Sequence, residues 1–336
     1  MKKWMKFVLV IAVFSVIFVT GCKEETTEPD FNEFDELAQY LVDMNLDLPD
    51  ILASWIVTAS AINAAMDDYF VIDTRSEDAY NAGHVPGAVW ADASTILDVA
   101  ATAGRKTIAV HCYKGIGATR LVTALRLSGY PTAVSMKFGM SAWGPADAEG
   151  DAAYDKWTGA TSDIALDYPA DWLLTAQDPA EDAVYGNPTL DTGEEAGADI
   201  LADRVAALLT DGYGYASAPD ILTMSDDYFI NNYWAQEHWD HYGHIKDAHR
   251  IDALSLENGG INNLDPDETI VTYCWTSQTS GMITAYLTVL GYNAQSLIKG
   301  ANGLIWSNLE SHQWNSAIGT PGANAPGDYE LEVVTP

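Results

Sequence analysis

Cysteine is scarce in this sequence: the 336 residues hold three, at 22, 112 and 274, so at most one intramolecular disulfide is possible. Basic residues are also few, 16 Lys and Arg against 48 Asp and Glu, a formal charge of −32. Such a surface repels nucleic acid and anionic lipid headgroups, and it slows the approach of small anions. Nucleic-acid binding is therefore set aside, and solubility explains most of the acidity. Long apolar runs are missing too, with one exception at the N-terminus; nothing else is apolar enough to span a bilayer. What is there is a chain 48% hydrophobic, with room for two ordinary domains.

The exception begins with Lys2, Lys3 and Lys6, followed by an apolar run from Phe7 to Val19 interrupted by Ser15. The run is short for a membrane span and has the length of a signal-peptide core. It ends in Val19-Thr20-Gly21-Cys22, which resembles the lipobox of bacterial lipoproteins, whose cysteine is lipidated and becomes the mature N-terminus. Residues 1–21 are thus expected to be a lipoprotein signal peptide, Cys22 the lipidation site and 22–35 a polar tether. The expected location is extracytoplasmic, lipid-anchored to a bacterial cell membrane, facing the periplasm or at the outer membrane. Loss of Lys2, Lys3 and Lys6 would take the formal charge from −32 to −35. Cys112 and Cys274 then remain as thiols, in a compartment that favours disulfides. A bridge between them needs their backbones within about 7 Å, and their settings argue for another role.

The chain is written twice. "DDYFVID" (Asp67–Asp73) recurs as "DDYFINN" (Asp226–Asn232), shifted by 159. "GHVPGA" (Gly83–Ala88) meets "GHIKDA" (Gly243–Ala248), shifted by 160, and "KTIAVHC" (Lys106–Cys112) meets "ETIVTYC" (Glu268–Cys274), shifted by 162. Both cysteines therefore occupy one position of a repeated domain. Phe70–Asp73, Ile108–His111 and Val134–Met136 read as strands. Ala118–Ser128 has helical periodicity with Gly129 past its end, and Phe34–Leu41 and Ala198–Leu209 read as opening helices. Strands alternating with helices imply an α/β protein with parallel sheets covered on both faces. The expected boundaries are 36–150 for the first copy, 151–197 for an acidic linker, 198–318 for the second copy and 319–336 for a loose tail. Within the linker, Trp172-Leu173-Leu174 is a candidate to pack back onto a domain.

A strand ending in Cys, then a glycine-bearing loop, then a helix start, forms a pocket of inward-pointing backbone N–H groups. Such a pocket favours thiolate over thiol and binds the anionic end of a small donor. In its motifs the chain resembles the rhodanese (thiosulfate sulfurtransferase) family in tandem form, over about Ile62–Trp143 and Leu222–Trp314. The resemblance rests on "VIDTR" (Val71–Arg75), "GHVPGA", the loop "CYKGIGA" (Cys112–Ala118) and "GMSAW" (Gly139–Trp143). It implies two rhodanese-like domains, each a five-stranded parallel sheet with helices on both faces, and no cofactor. It also implies catalytic Cys112 and Cys274, with substrate bound by Lys114, Gly115, Gly117 and Arg120 in the first copy and Ser277 and Thr279 in the second. Asp73, Arg75 and His84 read as fold residues.

The loops depart from the family pattern, which carries Arg directly after the cysteine and again five positions after it. Tyr113 and Gly117 stand there in the first copy, Trp275 and Thr279 in the second, and "CWTSQTSG" has no cation. A phosphatase would need Arg six positions after the cysteine, where Ala118 and Ser280 stand. The His238, His241, His244 and His249 cluster suggests metal, but His244 matches the turn residue His84, so no metal is expected. The expected function is an extracytoplasmic sulfurtransferase that forms a cysteine persulfide from a small sulfane-sulfur donor and passes it to a thiol or cyanide acceptor. The alternatives are a non-catalytic binding or scaffold lipoprotein, and a thiol redox protein handling sulfur or selenium species.

Overall fold

The computed structural model describes residues 31–144, 154–174, 179–180, 183–251, 254–315 and 324–334. The leader, Cys22 and the tether up to residue 30 lie outside them. The first copy forms a parallel sheet from β1 (Ile56–Val57), β2 (Tyr69–Asp73), β3 (Val89–Trp90), β4 (Thr107–His111) and β5 (Val134–Met136), in the order β1-β5-β4-β2-β3. A short antiparallel pair joins β6 (Trp172–Leu173) to β9 (His244–Ile245). The second copy uses β7 (Gly214–Ala216), β8 (Phe229–Asn232), β10 (Ile270–Tyr273) and β11 (Ala294–Leu297) in the corresponding order β7-β11-β10-β8. Its sheet has four strands among the described residues. At the fifth position, among the described residues, a parallel bridge between Asn231 and His249 stands where the first copy has β3.

The central strands are buried on both faces, as near-continuous apolar runs require: Ile108, Ala109 and Val110 in β4, Ile270 and Val271 in β10. After each cysteine a 12-residue helix returns over the sheet, Ile116–Leu127 in the first copy and Gln278–Val289 in the second. The first ends as its sequence requires, with Gly129 at φ +94° just past the C-cap Ser128. These two helices pack against each other, and Thr123 Oγ1 lies 3.3 Å from Met282 Sδ. Their contact makes one core from both copies, running from Phe34 and Leu37 through Leu121 and Leu125 to Ile283 and Leu287.

Three expectations about connecting segments need correction. The tether does not extend to residue 35: Asn32 caps the helix Glu33–Asp43, and Phe34 is buried. Glu33 also accepts the backbone N–H groups of Thr192 and Gly193. The 151–197 segment is more than a linker. Trp157 is buried with Phe138 and Met140 in the first copy, and Ala165 and Trp172 are buried in the second. The tail is not loose where it is described. Glu332 pairs its backbone with His84 in both directions, and Glu330 O accepts from Trp143 Nε1 at 2.9 Å. Aromatic residues explain both segments, since burying one large ring offsets the ordering of several residues. No helix among the described residues is long and apolar enough to cross a membrane.

Candidate functional site

Strand β4 delivers Cys112 to the end of the first sheet, and the Ile116–Leu127 helix starts four residues later. Gly115 makes the reversal at φ +75°; a Cβ there would sit 2.6 Å from Gln278 Oε1 and 3.0 Å from the Met136 carbonyl oxygen. The "GMSAW" stretch holds the loop from behind. Met140 N donates to Cys112 O at 2.9 Å, and Ser141 donates to Tyr113 O from both its amide (3.0 Å) and its hydroxyl (2.8 Å). Gly139 permits this approach, because a Cβ there would collide with the Cys112 carbonyl. Gly117 lies beside the thiol: a Cβ at that exposed position would be 3.7 Å from Sγ. Cys112 is a half-buried free thiol at the first turn of a helix, where backbone N–H groups lack intrahelical partners.

Four cations lie in this loop, in the helix after it or against its residues, although the chain has few. Lys114 is half-buried in the loop, with its carbonyl held by Trp157 Nε1 at 3.1 Å. Arg120 extends along the helix to Gly212 of the second copy. Lys156 Nζ lies 5.7 Å from the centre of the Tyr113 ring. Lys299, half-buried in the second copy, is pushed below the ordinary lysine value by burial and then by the like charge of Lys114. Among the described residues none of these four forms an ion pair with a carboxylate. Lys156 and Lys299 escaped sequence reading because neither belongs to the loop motif; no local pattern marks them.

Behind the loop, Arg75 grips Asp73 through Nε (3.1 Å) and Nη2 (2.7 Å) and donates to Gly83 O at 2.6 Å. Its guanidinium faces the Tyr113 ring at 5.0 Å. His84 stacks on Tyr80 at 3.9 Å, with Nδ1 2.9 Å from the Tyr80 carbonyl. All three are used in holding the strand end and its turn, as their reading as fold residues expects.

Cys274 has the same place in the second copy and a different environment. It is 2% exposed. Ser280 N donates to its Sγ at 3.3 Å, and Ser280 Oγ lies 3.5 Å away. Ser277, in the left-handed region at φ +62°, turns its hydroxyl inward to Ser296 Oγ at 2.8 Å, and Ser280 Oγ meets the same oxygen at 2.8 Å. Gln278 closes the cluster, donating to Thr276 Oγ1 at 3.0 Å and accepting from Phe138 N of the first copy at 2.9 Å. Trp275 is stacked between Trp234 and His312. The expected catalytic Cys274 and its substrate residue Ser277 are thus both buried, with hydroxyls of Ser277, Ser280 and Ser296 packed around the thiol, whereas Cys112 is half-buried. Thr279 alone of the second set stays half-buried at the surface. Both cysteines are free, and among the described residues no group of three or more His, Cys, Asp or Glu side chains could hold a metal ion.

Two stretches, 58–146 and 231–304, match the rhodanese-like domain family. Solved structures similar to the chain include a rhodanese-related protein from Thermoplasma volcanium, at 21% identity over 25% of this chain and 83% of that one, TM-score 0.23. A thiosulfate sulfurtransferase from Pseudomonas aeruginosa shows 16% identity over 82% of this chain and 48% of that one, TM-score 0.28. A 3-mercaptopyruvate sulfotransferase from Escherichia coli shows 17% identity over 73% of this chain and 98% of that one, TM-score 0.27. No curated protein matches the sequence. With its paired parallel sheets and a cysteine at the same strand end of each, the chain carries two rhodanese-like domains in tandem.

Proposed function

We propose that the protein is a sulfurtransferase that works through Cys112 alone, on an extracytoplasmic body held to the membrane by lipid on Cys22. The observation that carries the catalytic reading is the half-buried Cys112 thiol beside the exposed Gly117, in a loop that holds Lys114 and leads to Arg120 in an acidic protein. The Cys112 thiolate attacks the sulfane sulfur of a donor. A bond forms between the two sulfurs, the bond to the leaving group breaks, and the leaving group departs with the bonding electron pair. With thiosulfate the products are a Cys112 persulfide and sulfite. A thiolate or cyanide then attacks the terminal sulfur, and the sulfur–sulfur bond breaks to return the Cys112 thiolate. Each half-reaction balances without an added oxidant or reductant. Lys114 and Arg120 offset the negative charge of an approaching donor, which the acidic surface otherwise repels. Cys274 has no open face toward a donor and serves the second domain as a packed thiol.

The test is intact mass after thiosulfate, then after cyanide, for the wild type, Cys112→Ser and Cys274→Ser. The wild type and Cys274→Ser are expected to gain one sulfur and lose it to cyanide, and Cys112→Ser to gain none. Sulfur on Cys112→Ser, or on neither cysteine of the wild type, overturns the reading. The anchor rests on the basic start, the Phe7–Val19 run and Cys22; lipid label still incorporated into Cys22→Ser would remove it.

A further inference from the structure

The helix that follows Cys112 is met by the second domain as well as by the first. The segment Gly212–Ala216 enters β7 and runs along the first turn of the Ile116–Leu127 helix. Gly212 meets the Arg120 guanidinium there, and Tyr213 Oη lies 3.2 Å from Thr119 Oγ1. Gly281 makes the approach possible, since a Cβ at that position would collide with Thr119 Oγ1 and stand 2.7 Å from Tyr213 Oη.

The direction of the hydrogen bonds decides what is left over. Thr119 gives its hydroxyl proton to Ile116 O at 2.6 Å, so its oxygen can only accept from Tyr213. The Tyr213 proton is thereby committed. Tyr215 stands next to it, with ring centroids 5.1 Å apart, and its hydroxyl makes only a long contact of 3.5 Å to Tyr213 Oη. Tyr215 is 45% exposed, so this residue reaches solvent beside Tyr213. Burial pushes it above the ordinary phenol value. The charge of Cys112 adds to the shift, and Arg120 opposes it. It therefore keeps its proton at neutral pH.

We infer that Tyr215 is a donor-binding residue of the Cys112 site, supplied in cis by the second domain. Its hydroxyl donates to the oxyanion of a sulfur donor that Arg120 faces from the first domain. The inference rests on the sulfurtransfer reading for the identity of the donor, but not for the existence of the oxyanion subsite. It also gives the second domain a task that needs no reactive cysteine.

Two measurements on Tyr215→Phe separate the two claims. The first compares alkylation of Cys112 by iodoacetate, which carries a carboxylate, with alkylation by neutral iodoacetamide. Loss of one hydrogen bond to a charged group should slow iodoacetate about tenfold relative to iodoacetamide. An unchanged ratio overturns the assignment of Tyr215. The second is persulfide formation from thiosulfate, expected to fall by a similar factor through a higher KM. A wild type that forms no persulfide, yet shows a preference for iodoacetate that Tyr215→Phe loses, retains the Tyr215 subsite and removes the sulfurtransfer reading. Replacing Tyr by Phe keeps the ring, and an unshifted thermal midpoint checks that the fold is kept.

Discussion

At equivalent positions the two copies solve one packing problem in different ways. In the first, Asp73, Arg75 and His111 meet in the interior, with His111 Nδ1 3.8 Å from Asp73 Oδ1. In the second, Asn232, Trp234 and Tyr273 take these places, and Asn232 Nδ2 donates to Tyr273 Oη at 2.5 Å. An ionic cluster has become a neutral one, with all three members changed together. Burial pushes Asp73 up, His111 and then Arg75 pull it down, and the net result is a carboxyl below its usual 3.8. A carboxyl depressed in the folded state contributes its stability above the unfolded pKa and loses it as pH falls through the folded value. At neutral pH the pair is therefore complete. Arg75→Met strands a buried carboxylate and should cost about 3–5 kcal/mol at pH 7, read from urea unfolding. Asp73→Asn with Arg75→Met should recover much of that loss. The penalty of the single variant should shrink toward pH 4, because without Arg75 the folded state holds a proton on Asp73 more tightly than the unfolded chain does. A penalty independent of pH would show that packing, not charge, explains the cost.

At the scale of the element, the cysteine loops share a backbone path and differ in what fills it. Gly115 and Ser277 both sit in the left-handed region before their helices, at φ +75° and +62°. For serine that conformation costs about 1–2 kcal/mol, offset by the hydrogen bond to Ser296. Gly115→Ala adds the same strain and pushes on Gln278, the residue that accepts the Phe138 amide. It should lower the thermal midpoint by several degrees and slow alkylation of Cys112, whereas Ser277→Gly should change either quantity little. Equal effects from the two variants would mean that the second loop is as open as the first. The central strands Tyr69–Asp73 and Thr107–His111, the helix after Cys112 and both loops were legible in sequence, because apolar runs, glycine positions and the repeat offset are local signals; the two-residue strands Ile56–Val57 and Val89–Trp90 carry too little pattern to be read. Whether a loop is open was not legible, because Ser296 and Gln278 enter it from packing rather than from spacing.

The whole molecule behaves as a shared core with a strap. Leu121 and Leu125 of the first copy are buried in the same cluster as Ile283 and Leu287 of the second, and Asp47 spans the copies. Its carboxylate accepts from Leu256 N at 3.0 Å, Glu257 N at 3.1 Å and Tyr286 Oη at 3.2 Å. Calorimetry should therefore show one cooperative transition; two well-separated ones would mean that the halves fold independently. The strap closes over the first domain, where Gly87 N donates to Glu332 Oε2 at 2.7 Å and Tyr329 lies 5.2 Å from Trp143. Deleting residues 327–336 should lower the midpoint and shift tryptophan emission to the red as Trp143 is uncovered. Unchanged emission would show that the strap only lies on the surface.

Sequence alone determined the duplication, the strand–cysteine–loop–helix unit and the resemblance that names its fold, since each is written in residues close together in the chain. Tertiary structure alone decided which cysteine is buried and that Tyr213 of the second copy meets Thr119 of the helix that follows Cys112. Those facts depend on the helices Ile116–Leu127 and Gln278–Val289 packing face to face, a contact between residues some 160 positions apart. Exposure and charge at a site are properties of what surrounds it, and here the surroundings come from the other copy.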